Sequence, residues 1–337
     1  KIIQITANDC TYLYWVEGLR GNAKVSETKK ILVKHENIEN MKSSTRLPKW
    51  LDKYVFEDLL AKYEPDFEKF DYNLEHSIDD LLVYLGTYFP RSYAEAFCIY
   101  EDLFLNQIIG KENKQKEELN ILDIGCGTGG NLLGLLIAVK KEFSDISKIN
   151  VWAIDGNSDA LGILQKILEQ FKDFYSIEVN YNLLNERFNS VDEILSIIKK
   201  ITCSSFDFIM SFKTIVEIVS KGNGLNNNSY YKLFELASGL LSPHGLALVV
   251  DVTTKTYCSD YLPLLLNEQA RMFVKKNPDF KILSPLSCNC FSDICKNKCF
   301  YQKEVHISHT QTNNDVSSID YKIFGRTDFV QNIKKIK

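Results

Sequence analysis

Two acidic residues and a run of glycines are concentrated in one stretch of the chain. Residues 119–155 read LNILDIGCGTGGNLLGLLIAVKKEFSDISKINVWAID, so that Asp123 precedes a cluster of glycines at 125, 127, 129 and 130, and Asp155 ends the stretch. Glycine lets the backbone turn tightly and approach a ligand without a Cβ between them, and free N–H groups at a helix start face such a ligand. A carboxylate ahead of the turn can meet a cationic group, and a carboxylate ending a second strand can accept hydrogen bonds from both hydroxyls of a ribose. The stretch therefore predicts a site for a nucleotide-type cofactor.

Apolar runs on both sides of the glycines predict the elements that position these residues. A short run ending at Ile124 predicts a strand, Leu132 to Val139 predicts a helix, and Ile149 to Ile154 predicts a second strand that stops at the acid. Together these segments form one βαβ unit, with the glycines at the turn between the first strand and the helix.

The pattern Asp123-x-Gly125-x-Gly127-x-Gly129 followed by Asp155 resembles motifs I and II of the class I S-adenosylmethionine-dependent methyltransferases. The resemblance implies an α/β fold with a seven-stranded, mostly parallel sheet, helices on both faces and S-adenosylmethionine as cofactor. In that family the first acid and the glycine turn hold the methionine end of the cofactor, and the second acid holds the ribose. The same glycines also fit the G-x-G-x-x-G dinucleotide fingerprint. A nicotinamide-binding protein, or one whose turn only packs helix on strand, is the alternative.

Other cofactor contacts are expected where later elements meet the same crevice. Ile177 to Tyr181 predicts a third strand, whose tip would read adenine, and Phe206 to Met210 predicts a fourth. Pro90 begins a predicted helix with a Ser92-x-x-Glu95 capping box, in the position where family members cover the methionine end of the cofactor. The residues expected at the cofactor are Asp123, Gly125, Cys126, Gly127, Gly129, Asp155, Gly156, Asn182, Leu183, Ser211, Phe212, Arg91 and Tyr93.

The tip of the fourth strand argues against methylation of exocyclic base amines and of pyrimidine C5. Methyltransferases that act on exocyclic amines of bases commonly carry Asp/Asn-Pro-Pro-aromatic there, whereas this chain has Ser211 to Thr214, and Cys203 precedes the strand instead of following it. No catalytic residue is assigned, although Lys213 and Glu217 lie where a substrate would enter. The alternative is that these two residues pair with each other, four positions apart on a helix.

A second candidate site consists of clustered cysteines. Four thiols fall within twelve residues, at spacings C-x-C-x4-C-x3-C: Cys288, Cys290, Cys295 and Cys299. Such a set can hold one zinc ion or an iron–sulfur cluster, with His306 or His309 able to replace a ligand. The alternative is a loop of reduced thiols.

Composition sets the outer limits. The chain has 337 residues, is 45% hydrophobic and carries a net charge of −4, which argues against non-specific coating of nucleic acid. No apolar run reaches the ~18 residues of a membrane span, and clustered cysteines favour a reducing compartment such as the cytoplasm. We expect an arm and helical region over residues 1–110 and a methyltransferase domain over 111–337.

A further resemblance concerns the substrate. Segments 90–94 (PRSYA) and 299–301 (CFY) resemble the methyltransferase-like family of bacterial and mitochondrial ribosomal small-subunit proteins. This implies RNA or a ribosomal subunit as partner. A non-catalytic assembly factor that binds S-adenosylmethionine, and a methyltransferase for small molecules or proteins, are the alternatives. The sequence predicts neither the methylated atom nor the oligomeric state.

Overall fold

The computed structural model describes most of the chain as strands and helices. The described residues are 2–7, 10–15, 31–34, 42–65, 77–105, 116–143, 145–203, 205–220, 228–253, 262–283 and 303–331. The strands are β1 (Ile2–Ala7), β2 (Cys10–Trp15), β3 (Ile31–Lys34), β4 (Lys42–Arg46), β5 (Glu118–Ile124), β6 (Lys148–Asp155), β7 (Glu178–Asn185), β8 (Phe206–Phe212), β9 (Leu241–Val252), β10 (Phe280–Ile282), β11 (Lys303–His309) and β12 (Thr312–Arg326). The helices are α1 (Lys49–Lys53), continued by a π-helical turn (Tyr54–Asp58), α2 (Ile78–Leu105), α3 (Gly130–Glu142), α4 (Ser158–Tyr175), α5 (Val191–Ile198), α6 (Thr214–Ser220), α7 (Ser229–Ser238), α8 (Leu262–Lys276) and α9 (Thr327–Gln331).

One mixed sheet organises the site. Its strand order is β4-β11-β12-β9-β8-β5-β6-β7, with β10 also paired to β12. The five strands from β9 to β7 are mutually parallel, and β12 runs antiparallel between β9 and β11. The predicted α/β class is confirmed. Within the described residues the sheet has nine strands, whereas the sequence predicted seven, because β4 and β10 add to it.

The topology creates a crevice at the carboxyl end of β5. The chain leaves β5 for β6 on one side and later returns to β8 on the other, and ligands of open α/β sheets bind outside the strand ends at such a switch point. The glycine turn follows Ile124, the last residue of β5, and therefore lies in this crevice.

Both faces of the sheet are buried. Ile121 contacts a core built with α2, α3 and α4, and its neighbour Leu122 contacts a second core built with α5, α7 and α8. Successive side chains of a strand point to opposite faces, so a strand covered on both sides is apolar throughout. This explains the near-continuous apolar runs of the sequence.

Helix α2 differs from the prediction. It is continuous from Ile78 to Leu105 and contains Pro90 in its interior, so no helix begins at Ser92 and the predicted capping box does not form. Glu95 is fully buried instead of capping a helix end. α2 packs closely on α3, where a Cβ on Gly134 would lie 2.5 Å from the carbonyl oxygen of Tyr93.

Three asparagines form a ladder near the amino ends of β5, β6 and β7. Asn120 is paired with Asn150, and Asn150 with Asn180, in the strand registers. Asn150 Nδ2 donates to Asn120 Oδ1 at 2.9 Å, and Asn180 Nδ2 donates to Asn150 Oδ1 at 3.1 Å. The ladder therefore lies at the opposite ends of these strands from the glycine turn.

Within the described part of the chain, no helix combines the length and apolar character that crossing a membrane requires.

Candidate cofactor site

The glycine turn adopts backbone angles that other residues avoid. Gly125, Gly127 and Gly129 have φ values of +73°, +52° and +84°, in the left-handed region that costs an L-residue roughly 1–2 kcal/mol. A Cβ on Gly125 would also lie 2.1 Å from the hydroxyl oxygen of Thr214. That hydroxyl donates to the Ile124 carbonyl at 2.9 Å, so the start of α6 packs directly against the turn.

Asp155 joins the end of β6 to the glycine turn. Its Oδ2 accepts a hydrogen bond from the Gly127 N–H at 2.7 Å, and its Oδ1 accepts one from the Asn157 N–H at 2.9 Å. The side chain is 7% exposed. Burial raises the pKa of the Asp155 carboxyl, while the backbone N–H donors of Asn157, Gly127 and Gly156 oppose that rise. A carboxylate held in this way is fixed in orientation at the crevice.

Asp123 lies behind the crevice. It is fully buried, and both of its carboxylate oxygens accept from Asn131 Nδ2, at 3.1 and 3.2 Å. Burial raises the pKa of Asp123 well above its ordinary value; the Asn131 bond opposes this rise, and the Asp155 charge adds to it. Asn131 itself lines the crevice, so a polar amide stands between the buried acid and the open space.

These groups surround a cleft that is partly open to solvent. The cleft is lined by Tyr84, Phe89, Ser92, Gly125, Cys126, Gly127, Thr128, Gly130, Asn131, Asp155, Gly156, Arg187, Phe188, Asn189, Phe212, Lys213, Thr214, Glu217 and Ile218. The walls come from the glycine turn, α2, the end of β6, the segment after β7 and the start of α6.

Eight of the residues expected from the sequence line the cleft, namely Gly125, Cys126, Gly127, Asp155, Gly156, Phe212, Lys213 and Glu217. The other expected residues, which do not line it, are Asp123, Gly129, Asn182, Leu183, Ser211, Arg91 and Tyr93. Gly129 precedes α3 as its N-terminal cap residue, and Ser211 lies inside β8, 2% exposed.

Two residues of α2 are engaged elsewhere. Arg91 donates to both carboxylate oxygens of Asp315, at 2.7 and 2.8 Å, and the two side chains are about 6% exposed. Tyr93 is 1% exposed and its ring stacks on Phe97 with centroids 5.6 Å apart. The α2 residues on the cleft are instead Tyr84, Phe89 and Ser92. The sequence did not predict this face, because it placed the start of the helix at Pro90 whereas the helix begins at Ile78.

The third strand is longer than predicted, which moves its tip. β7 continues to Asn185, and Asn182 pairs with Trp152 inside the sheet. The residues that follow the strand and line the cleft are Arg187, Phe188 and Asn189. The polar sequence Asn-Leu-Leu-Asn favoured an early strand end, but an edge strand tolerates polar side chains on its exposed positions.

Lys213 pairs with a buried acid of α2. Its ammonium donates to Glu95 Oε1 at 2.7 Å, and Ser317 also donates to that oxygen. Lys213 has a φ of +58°, an uncommon conformation for a residue with a side chain. It begins no helix, since α6 starts at Thr214.

The cysteine cluster from Cys288 to Cys299 lies outside the described residues, so its metal site stays a prediction. Among the residues that the structure describes, no group of three or more His, Cys, Asp or Glu side chains could hold a metal. Both ring nitrogens of His306 have partners, Asn314 and Glu304. His309 is buried and stacks on Phe56.

Asp251 connects the wall of the cleft to β9. Its Oδ2 accepts from the Val216 N–H of α6 at 3.0 Å and from the Tyr230 hydroxyl at 2.8 Å. Burial raises the pKa of Asp251 from 3.8 to about 7, although its hydrogen-bond donors and the Lys213 charge act in the opposite direction.

A pH dependence of stability follows from Asp251. Between pH 4 and 7 the folded protein keeps a proton that the unfolded chain releases, so this group's contribution to the free energy of unfolding falls as pH rises, by at most about 1.4 kcal/mol per pH unit. Asp251→Asn mimics the protonated carboxyl. We expect urea unfolding to show wild type losing stability relative to the variant over this range. A pH-independent difference between the two proteins would contradict the assignment.

The sheet is doubly wound, a glycine turn lies at its switch point, and a buried acid ends the next strand. This combination is typical of α/β proteins that bind nucleotide cofactors. The antiparallel β12 between β9 and β11 gives the sheet the class I methyltransferase arrangement.

Comparison with known proteins gave likenesses among solved structures only. No protein-family model matches the chain, and neither does any curated protein sequence. The plantazolicin methyltransferase BpumL, solved with S-adenosylhomocysteine, is similar at 14% identity and TM-score 0.41, covering 81% of this chain and 93% of its own. A provisionally assigned RNA methyltransferase of Pyrococcus horikoshii is similar at 10% identity and TM-score 0.38, covering 83% and 97%. Loganic acid methyltransferase is similar at 11% identity and TM-score 0.38, covering 58% and 73%. At these values none of the likenesses decides a reaction or a substrate.

Proposed function

We propose that this protein is an S-adenosylmethionine-dependent methyltransferase. The observation that carries the proposal is Asp155, a buried carboxylate at the end of β6 that faces the cleft beside three left-handed glycines. Each of its oxygens accepts one backbone N–H and has a second lone pair for a ribose hydroxyl, which supports the proposal. The glycine turn supports the proposal because it lets the methionine end of the cofactor approach the backbone.

Different residues of the cleft would contact different parts of this cofactor and its acceptor. Phe188 and Ile218 offer apolar surface on the cleft walls for adenine. Phe212 ends β8 and Lys213 follows it, where an acceptor would enter. Methyl transfer requires acceptor atom, methyl carbon and sulfur in line, so positioning supplies much of the rate enhancement. Bound S-adenosylmethionine supplies an electrophilic methyl group, and the chain's residues orient it.

Asn131 is the residue that we propose for the amino-acid end of the cofactor. Because its Nδ2 is held by Asp123, its Oδ1 remains available to accept from the cofactor ammonium group. We expect Asn131→Leu to bind S-adenosylhomocysteine roughly 10- to 100-fold more weakly, since hydrogen bonds to charged groups contribute about 1.5–3 kcal/mol. Binding of methylthioadenosine, which lacks the amino-acid end, should change less than about threefold. Calorimetry with both ligands checks this, and equal losses for the two would refute the assignment.

The proposed activity is tested by calorimetric binding followed by label transfer. Wild-type protein should bind S-adenosylmethionine, and methyl-labelled cofactor should yield S-adenosylhomocysteine together with labelled acceptor. Binding of a nicotinamide dinucleotide in place of S-adenosylmethionine would overturn the proposal and favour a dehydrogenase fingerprint.

The proposed acceptor is RNA or a ribosomal particle, which is supported only by the sequence resemblance. RNA, protein and small-molecule fractions of a cell extract, incubated separately with labelled cofactor, distinguish the three acceptor classes. Binding without transfer to any fraction would favour a non-catalytic factor.

A further inference from the structure

Lys213 lies directly beside the glycine turn. β8 pairs with β5 so that Ser211 is the partner of Ile124, and Lys213, two residues further on, is therefore level with the turn that follows β5. The next residue, Thr214, donates from its hydroxyl to the Ile124 carbonyl at 2.9 Å. Lys213 lines the cleft, and its side chain is 24% exposed. A partly exposed cation is thus placed next to the turn.

A buried acid of α2 holds this ammonium in place. Glu95 is fully buried, and its Oε1 accepts from Lys213 Nζ at 2.7 Å and from the Ser317 hydroxyl of β12. Because Glu95 has no exposed surface, its carboxylate lies behind the ammonium as seen from the cleft. A lysine ammonium has three N–H donors, and Glu95 is the acceptor that the described residues provide for them. Further donors can therefore serve a ligand.

Contacts along α2 relate Lys213 to Asn131, the proposed partner of the cofactor ammonium. Ser92 lines the cleft and lies three residues before Glu95 on α2. Its Cβ is 3.0 Å from where a Cβ on Gly130, the neighbour of Asn131, would be. Side chains three apart on a helix are neighbours, with Cβ atoms about 5–6 Å apart. The start of α3, Ser92 and the Glu95–Lys213 pair therefore follow one another along one wall of the cleft.

The backbone of Lys213 is held in an uncommon conformation. Its φ of +58° lies in the left-handed region, and its N–H donates to the Val250 carbonyl of β9 at 2.8 Å. Glycine would adopt this conformation without strain, so the lysine side chain is present at a cost in stability. Conformations of this kind cluster at ligand sites, which supports a role for the side chain in binding.

We infer that Lys213 binds the carboxylate of the cofactor's amino-acid end, an inference that rests on the proposed function. The ammonium and the carboxylate of S-adenosylmethionine are attached to the same carbon, so a partner for the carboxylate must lie near Asn131. Two basic residues line the cleft, and of these Arg187 follows β7, whereas Lys213 follows β8 beside the turn. A hydrogen bond between ammonium and carboxylate is charge-assisted and stronger than a neutral one. Glu95 acts through Lys213 and is a positioning residue.

Calorimetry with two ligands tests the inference. These are S-adenosylhomocysteine and its decarboxylated analogue, which keeps the ammonium and lacks only the carboxylate. Wild type should bind S-adenosylhomocysteine roughly 10- to 100-fold more tightly than the analogue. Lys213→Met should bring this ratio close to one, with the affinity for the analogue within about threefold of wild type. Lys275→Met, at an exposed position in the last turn of α8, makes the same change in net charge and should leave the ratio unaltered.

A second variant guards against loss of the fold. Lys213→Met leaves the Glu95 carboxylate buried without its counter-ion, which is destabilising. Lys213→Met/Glu95→Gln removes that charge, and it should also show a ratio close to one. Glu95→Gln alone keeps the ammonium, with an amide oxygen still able to accept from it, and should keep most of the ratio.

Each outcome bears on one proposal. A wild-type ratio close to one, or an unchanged ratio in the folded double variant, would overturn the role of Lys213 and leave the proposed function standing. Loss of the ratio in Arg187→Met, with the Lys213 variants unaffected, would overturn it as well and assign the carboxylate to Arg187. Failure of wild type to bind either ligand would instead overturn the proposed function.

Discussion

Replacing Asp155 by alanine is expected to weaken S-adenosylhomocysteine binding at least about 100-fold, because two hydrogen bonds from ribose hydroxyls to a buried carboxylate are lost together. The same change removes the acceptor of the Gly127 and Asn157 N–H groups, so the glycine turn also loses its attachment to β6. Calorimetry measures the affinity. Far-ultraviolet circular dichroism and the melting temperature show whether the fold survives.

A matched control keeps this result interpretable. Asp159 is an exposed acid in the first turn of α4, four residues beyond Asp155, and Asp159→Ala should bind as wild type does. A folded Asp155→Ala protein with affinity within about threefold of wild type would show that the carboxylate does not hold the cofactor.

The second large effect concerns stability. Arg91→Met is expected to destabilise the protein by about 3–5 kcal/mol, because the Asp315 carboxylate, about 6% exposed, is left buried without its counter-ion. Arg91→Met/Asp315→Asn should recover much of the loss, since the uncompensated charge is gone. Urea unfolding measures both variants. A loss below about 1 kcal/mol in the single variant would show that water or another group replaces the arginine.

The same variant separates two roles for Arg91. If the guanidinium acts only through Asp315, folded Arg91→Met should bind S-adenosylhomocysteine within about threefold of wild type. A much larger loss would restore the cofactor contact that the sequence resemblance suggested.

Sequence reasoning reached the parts of the fold that local pattern determines. The βαβ unit around the glycines and the α/β class follow from apolar periodicity and from residues with special backbone geometry. The sequence analysis did not predict β4 and β10. Their pairing partners, β11 and β12, are distant in sequence, and no local pattern indicates the pairing.

The sequence predicted only those parts of the site that depend on local features, such as the backbone conformation of a glycine or an acid at the end of an apolar run. Glycine positions and the acid ending β6 were found in this way. Helix ends and strand ends are set by tertiary packing. The sequence therefore predicted the wrong start for α2 and the wrong end for β7, and so the wrong residues of these two elements at the cleft. The partners of Arg91 and Lys213 lie 224 and 118 positions away in the chain, and a single sequence carries no sign of such pairs.

The asparagine ladder has a consequence at the carboxyl ends of the same strands. Strand pairing is defined in steps of one residue, and a slip of one step shifts a strand by roughly 3.4 Å and turns its side chains to the opposite face. Apolar positions on both faces of β5 and β6 penalise such a slip weakly, since either face accepts an apolar residue. Amide side chains that must meet each other at Asn120, Asn150 and Asn180 penalise it strongly. The ladder thus fixes the register of β5, β6 and β7 at their amino ends. This register brings Asp155 level with the glycine turn at the carboxyl ends of the strands.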